Sequence, residues 1–168
     1  MIVKDSASSI EGLPLQLIIT AVVLAITVPI MFGGLNSYDQ SKLETELMGE
    51  IQGFISDVQQ IYLAGPGNSA TMNFVVPNGA LNSADYVIFG DGPQGNYSSV
   101  IRYRISGESE VPVVVASPNV PMMSEENAGL EVIPGTYSII ISCQSADADL
   151  NDDGFSPDNF VQLSLSSV

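Results

Sequence analysis

The stretch that most constrains this chain runs LPLQLIITAVVLAITVPIMF, from Leu13 to Phe32. It holds no charged residue and is interrupted only by Pro14, Gln16, Thr20, Thr27 and Pro29. At ~1.5 Å rise per residue, such a run crosses a bilayer core of about 30 Å. A secretory signal peptide would have a shorter apolar region, then a small-residue cleavage site and a polar mature start. Here the helical pattern continues instead. Leu43, Leu47, Ile51, Phe54, Val58 and Ile61 recur three or four residues apart, and Asp39, Glu44, Glu46, Glu50, Gln52 and Gln59 fall largely between them. That spacing places the apolar set on one face of an α-helix. Residues 13–63 therefore read as one nearly continuous helix of ~75 Å, apolar over 13–32 and amphipathic over 38–63. Pro29 and Gly33-Gly34 are its weak points, because proline removes a backbone donor and glycine costs about 1 kcal/mol against alanine. The expectation is a bend or local unwinding near 29–34, a hinge between a membrane half and a soluble half.

The helix is predicted to stop at AGPGNS, Ala64 to Ser69, where two glycines and a proline follow one another. Beyond the junction at 64–70 the texture becomes β-type. Thr71–Val76, Tyr86–Phe89, Ser98–Ile105, Val111–Ala116, Thr136–Cys143 and Phe160–Ser166 are short runs rich in β-branched and aromatic residues. Turn clusters such as PNG, GDGPQGN and IPG separate them, the pattern of a small antiparallel sandwich or barrel over 71–168. The last run, FVQLSLSSV, alternates as a half-buried strand does, so residues 144–159 form the loop of a final hairpin. The fold class is thus α+β: an N-terminal segment (1–12), a long helix, then a small antiparallel β-sandwich domain. No internal repeat of solenoid period is present.

Charge and composition remove whole classes of function. Asp and Glu number 19 against 4 Lys and Arg, for a net charge of −15. A surface of that sign does not neutralise phosphates, so nucleic acid is not a partner. Copies of the chain also repel one another, and assembly has to be driven by apolar surface. With no histidine, no Ser-His-Asp or Cys-His system and no imidazole metal ligand can be built. Glu125-Glu126 are adjacent on a turn and do not face each other across a substrate, so no acid/base pair is evident and the chain does not read as an enzyme. Cys143, the sole cysteine, sits in an apolar run and reads as a buried inert thiol.

A polar start, Glu11 just before an apolar block, a long helix with an amphipathic second half and a following β domain together resemble type IV pilins. The chain is most similar to archaeal type IV pilins and pilin-like surface filament subunits. The likeness covers about residues 4–80 in motif, including the GPGN junction, and only architecture after that. It implies cleavage between Ser6 and Ala7, which would leave a chain beginning ASSIEGLPLQ with Glu11 fifth, where the family carries its acidic residue. It implies that Glu11 meets a neighbouring subunit's N-terminal amine; a carboxylate near a helix start is also favourable with the helix dipole on its own. It further implies a homopolymer built through the apolar helix, with Leu13, Leu17, Val22, Leu24, Ile26 and Phe32 as assembly residues. The subunit would be membrane-inserted before a pilus assembly machinery moves it to an extracellular filament at the cell surface. The amphipathic stripe would pack on the chain's own β domain and on neighbouring subunits as well.

Two further sites are readable. Asp149-x-Asn151-x-Asp153-Gly154 reproduces the first half of a calcium loop, with Asp147 before it and Asp158 in place of the missing distal carboxylate, Phe160 standing where the loop's last ligand belongs. The same residues also suit a solvated acidic turn. Asn96-Tyr97-Ser98 is an N-glycosylation sequon in a surface loop. Arg102 and Arg104, two apart on a strand, share a face and are expected to pair with acidic neighbours. The leading functional expectation is a filament subunit displaying an acidic β domain for adhesion or surface attachment. The alternatives are a single-pass membrane-anchored binding or secretion-system protein, and an archaellin-like motility subunit.

Overall fold

A computed structural model describes residues 12–92, 95–145 and 159–166, with side chains from Leu15 onward. Its first element, α1, runs unbroken from Gly12 to Ala64 over 53 residues, with Pro29 inside it. The unwinding expected near 29–34 does not occur. Proline removes a single donor from the ladder, and helix propagation across the long flanks carries the segment through. Ser37 Oγ donates a 3.0 Å bond to the Gly33 carbonyl on the preceding turn. Gly65 and Gly67, with φ of 87° and 85°, then turn the chain out of the helix, and the Asn68 side-chain amide donates to the carbonyls of Ala64 and Gly65.

The chain divides into two compact units, the first ending at Tyr38 and the second beginning at Asp39. In the second unit the strands are β1 (Ser69–Val76), β2 (Ala84–Phe89), β3 (Val100–Ile105), β4 (Val111–Val114), β5 (Met122–Ser124), β6 (Leu130–Val132), β7 (Gly135–Ser145) and β8 (Asn159–Leu165). They make two four-stranded sheets, ordered β1-β7-β8-β5 and β4-β3-β2-β6. Every pairing is antiparallel except β5 with β8, which is parallel. The sandwich is therefore mixed rather than wholly antiparallel. β5 and β6 were not evident in the sequence because each is only three residues long.

Alternation along the strands decides which side chains reach the core. Phe74, Phe89, Ile101, Tyr103, Ile139, Ile141, Val161 and Leu163 point inward and are buried. The helix supplies the rest: Leu43, Leu47, Ile51, Phe54 and Val58 have relative exposures of 0–2% in the same cluster. Phe54 stands at the join, its ring centroid 4.3 Å from Phe89 and 5.9 Å from Phe74. The stripe read from the sequence is thus consumed by the chain's own β domain, with Ile61 packed partly buried at its end. No surface is left on those five side chains for the neighbouring subunit that the sequence reading also assigned to them.

Candidate functional site

In the first unit every described face of α1 is apolar and open. Leu17, Val22, Leu24, Ile26 and Phe32 are all exposed, as are Leu15, Ile18, Ile19, Val23, Ile30 and Leu35 between them. This surface follows from composition: with apolar residues at almost every position the helix has no polar face to present to water. Among the described residues α1 is the one helix long and apolar enough to cross a membrane, with a mean hydropathy of 2.4 in its most apolar window. The backbone of Leu13 lies within the helix, whereas Ser6, Ala7 and Glu11 lie outside the described residues.

The second unit begins with a polar clasp. Asp39 accepts backbone hydrogen bonds from Ala80 (2.9 Å), Leu81 (2.9 Å) and Asn82 (2.8 Å), which fastens the loop between β1 and β2 to the helix. Those backbone donors, that of Leu81 foremost, hold its carboxyl down at about 2, against an ordinary 3.8. The next residue, Gln40, donates to Glu108 in the β3–β4 turn. Burial, reinforced by the charge of Glu44, pushes the Tyr103 phenol above its usual 10.0. Farther along, Glu50 accepts the Val75 amide of edge strand β1 at 3.2 Å, and Gln59 donates to the Ala116 carbonyl at 3.0 Å. Glu50 so occupies one amide of a strand edge that would otherwise be open to another chain.

Arg102 and Arg104 do share one face of β3, as their spacing predicts. Arg104 Nε is 2.7 Å from Asp85, and Arg102 lies 3.7 Å from Glu110. The Tyr86 hydroxyl donates to Glu110 at 2.7 Å, which raises the phenol's pKa, and the Arg104 guanidinium stacks 4.8 Å from the Tyr86 ring. The two cations are thereby engaged within the β4-β3-β2-β6 sheet. Asn96 is exposed in the turn between β2 and β3, where a sequon has to sit for modification. Gly90, near that turn, has φ +67°, and a Cβ there would overlap the Met122 carbonyl, so the close crossing between the two sheets requires glycine. Cys143 is fully buried, and burial raises its thiol pKa, as befits an inert side chain.

An open groove of about 660 Å³ runs beside the end of β8, lined by Ser124, Glu125, Glu126, Leu130, Ile140 and Leu165 among others. Among the described residues no group of three or more His, Cys, Asp or Glu side chains could hold a metal ion. The calcium-loop residues Asp147, Asp149, Asn151, Asp153 and Asp158 lie outside the described residues. Neither the Asp39 clasp nor the Glu50 bond to β1 was visible beforehand, because each joins groups 25 or more positions apart. Comparison of the chain with protein-family models, with curated proteins and with solved structures gives no match.

Proposed function

We propose that this chain is the structural subunit of a pilus-like surface filament, stored in a membrane by its apolar helix and polymerised through it. One observation carries the reading: the helix from Leu15 to Leu35 is apolar and exposed on all sides, with none of its most apolar window buried. Such a surface needs lipid or other helices around it. Lipid satisfies it in the monomer, since an α-helix pairs its own backbone groups and its side chains match acyl chains. A bundle of identical helices satisfies it equally, burying the same area at ~25 cal/mol per Å² without passing through water. The β domain supports the reading by closing its own core and presenting an acidic, soluble exterior. Electron microscopy of sheared surface material, with this chain identified by mass spectrometry, tests it. Filaments containing the chain are expected, and their absence from cells that hold the protein in the membrane overturns the proposal.

A second reading, a single-pass anchor carrying a monomeric binding domain, draws on a specific observation. The stripe Leu43, Leu47, Ile51, Phe54 and Val58 is spent entirely inside one subunit, so nothing in the amphipathic half of the helix demands a neighbour. Only the apolar half separates the two readings, and it does so by whether it meets lipid or protein.

A further inference from the structure

We infer that the groove beside the end of β8 takes an extended, basic peptide segment of another protein, which adds to the sheet as a strand in line with β5. Register makes the slot. β5 pairs with β8 only as far as Ser124 opposite Leu163, whereas β7 follows β8 on its other side to Leu165. Past Ser124 the chain turns aside, the Ser124 amide donating to the Ala128 carbonyl and the Asn127 amide to the Ser124 carbonyl. The bonds already made show which backbone groups lie at the vacated edge. Ser166 donates to Ser138 of β7, and Val161 donates to Pro121 on the β5 side, each at 2.8 Å. Alternation then directs the N–H and C=O of Leu165 away from β7, toward the side where β5 has ended. An edge of this kind pairs with an extended backbone.

What the incoming strand carries is set by the walls. Leu130, Ile140 and Leu165 give an apolar lining, and Leu165 is 46% exposed. Glu125, Glu126 and Glu131 stand around it, all exposed. The cations among the described residues are engaged elsewhere: Lys42 with Glu46, Arg102 with Glu110 and Arg104 with Asp85. Complementary charge therefore has to come from outside, and a second copy of this chain, at a net charge of −15, is a poor source of it.

A polyamine or a metal cation would meet the carboxylates and leave the apolar lining and the strand edge unused. A polypeptide segment with Lys or Arg among apolar side chains uses all three. At about 660 Å³ the groove has the size of a ligand cleft, ~300–1,000 Å³. Its lining comes wholly from the β domain, so the contact is open to a filament subunit and to an anchored monomer alike.

The test uses the full chain in neutral phosphatidylcholine liposomes, with empty liposomes as the blank, and a fluorescent peptide of four Lys-Val repeats. Anisotropy is expected to show saturable binding that weakens as salt is raised from about 0.1 to 1 M, where the screening length drops from about 10 to 3 Å. Glu126→Gln with Glu131→Gln, both at exposed positions, should weaken it about fivefold or more, since one exposed ion pair is worth a factor of up to about five. Glu46→Gln with Asp57→Asn removes the same charge from α1 and should change it less than about twofold. Leu165→Arg fills the slot and supplies the cation, so binding should vanish with an unchanged melting temperature. The fully N-methylated peptide keeps every charge but cannot donate along the edge, and is expected to bind about tenfold more weakly or worse. That peptide carries the test of the edge if Leu165→Arg does not fold. Equal losses from the two carboxylate pairs, full binding by the methylated peptide, or no saturable binding by the wild type each overturn the proposal. So does equal affinity for a peptide of four Lys-Gly repeats, which would make the groove a site for cations alone. Microscopy of cell-surface material separately reports whether filaments form, so loss of that reading and loss of this site are distinguishable.

Discussion

At the residue scale, Asp39 is the side chain with the most to lose. Three backbone amides converge on its carboxylate, and they hold its pKa near 2 rather than 3.8. Between those values the unfolded chain binds the proton and the folded one does not, so stability rises with pH across that window. The contribution is complete above about pH 4 and disappears as pH falls toward 2. Asp39→Asn keeps the size but loses the charge that strengthens each bond. The variant is expected to melt a few degrees below wild type at pH 7, and the gap should close progressively between pH 4 and pH 2. Taking the difference between paired melts cancels the other carboxylates, which titrate alike in both proteins. A gap that stays constant to pH 2 would remove the carboxylate from this role. The sequence suggested Asp39 only as a polar residue between stripe positions, since its partners lie 41 to 43 residues away. Arg102 and Arg104 were legible because their shared face follows from strand periodicity alone.

At the scale of elements, legibility tracked length and period. The long helix and the six longer strands carry enough repeats of 3.6 or 2 to stand out, and their limits shifted by only one or two residues. β5 and β6 have three residues each, too few for a period, and the parallel pairing of β5 with β8 is a product of tertiary crossing. Pro29 misled in the other direction, since a local penalty was outweighed by the cooperativity of its flanks. Within the helix, Phe54 joins both sheets through Phe74 and Phe89. Phe54→Ala removes a fully buried ring and should cost about 3–5 kcal/mol in chemical denaturation of the β domain's signal. Gly49 and Gly53 point the opposite way. A Cβ at either meets nothing within 4 Å, so Gly49→Ala and Gly53→Ala should each stabilise the chain by about 0.5–1 kcal/mol. A loss of stability in the isolated protein would mean that the helix is less regular there than described.

For the whole molecule, two opposed surfaces must be reconciled: an apolar helix from Leu15 to Leu35 that avoids water, and a net charge of −15 that keeps copies apart. Lipid resolves the first alone, and a filament resolves it only if apolar packing outweighs the repulsion. The two outcomes respond differently to shape. Acyl chains flow into any space beside a helix, so lipid registers hydropathy and is nearly blind to the outline of a side chain. A protein bundle is close-packed, and shortening a buried leucine there leaves a cavity costing about 2–5 kcal/mol per subunit. Leu17→Ala with Leu24→Ala keeps the segment free of charge and apolar enough to span. The double variant should therefore remain in the membrane fraction at wild-type levels while filament yield falls sharply, because a loss at every subunit is multiplied along the polymer. Leu24→Arg, by contrast, adds about 3 kcal/mol or more to insertion at the helix centre and should reduce membrane retention itself. Filaments at wild-type yield from the Leu17, Leu24 double variant would mean that these side chains do not sit in a packed core, and polymerisation through the apolar helix would have to be given up in favour of another contact between subunits.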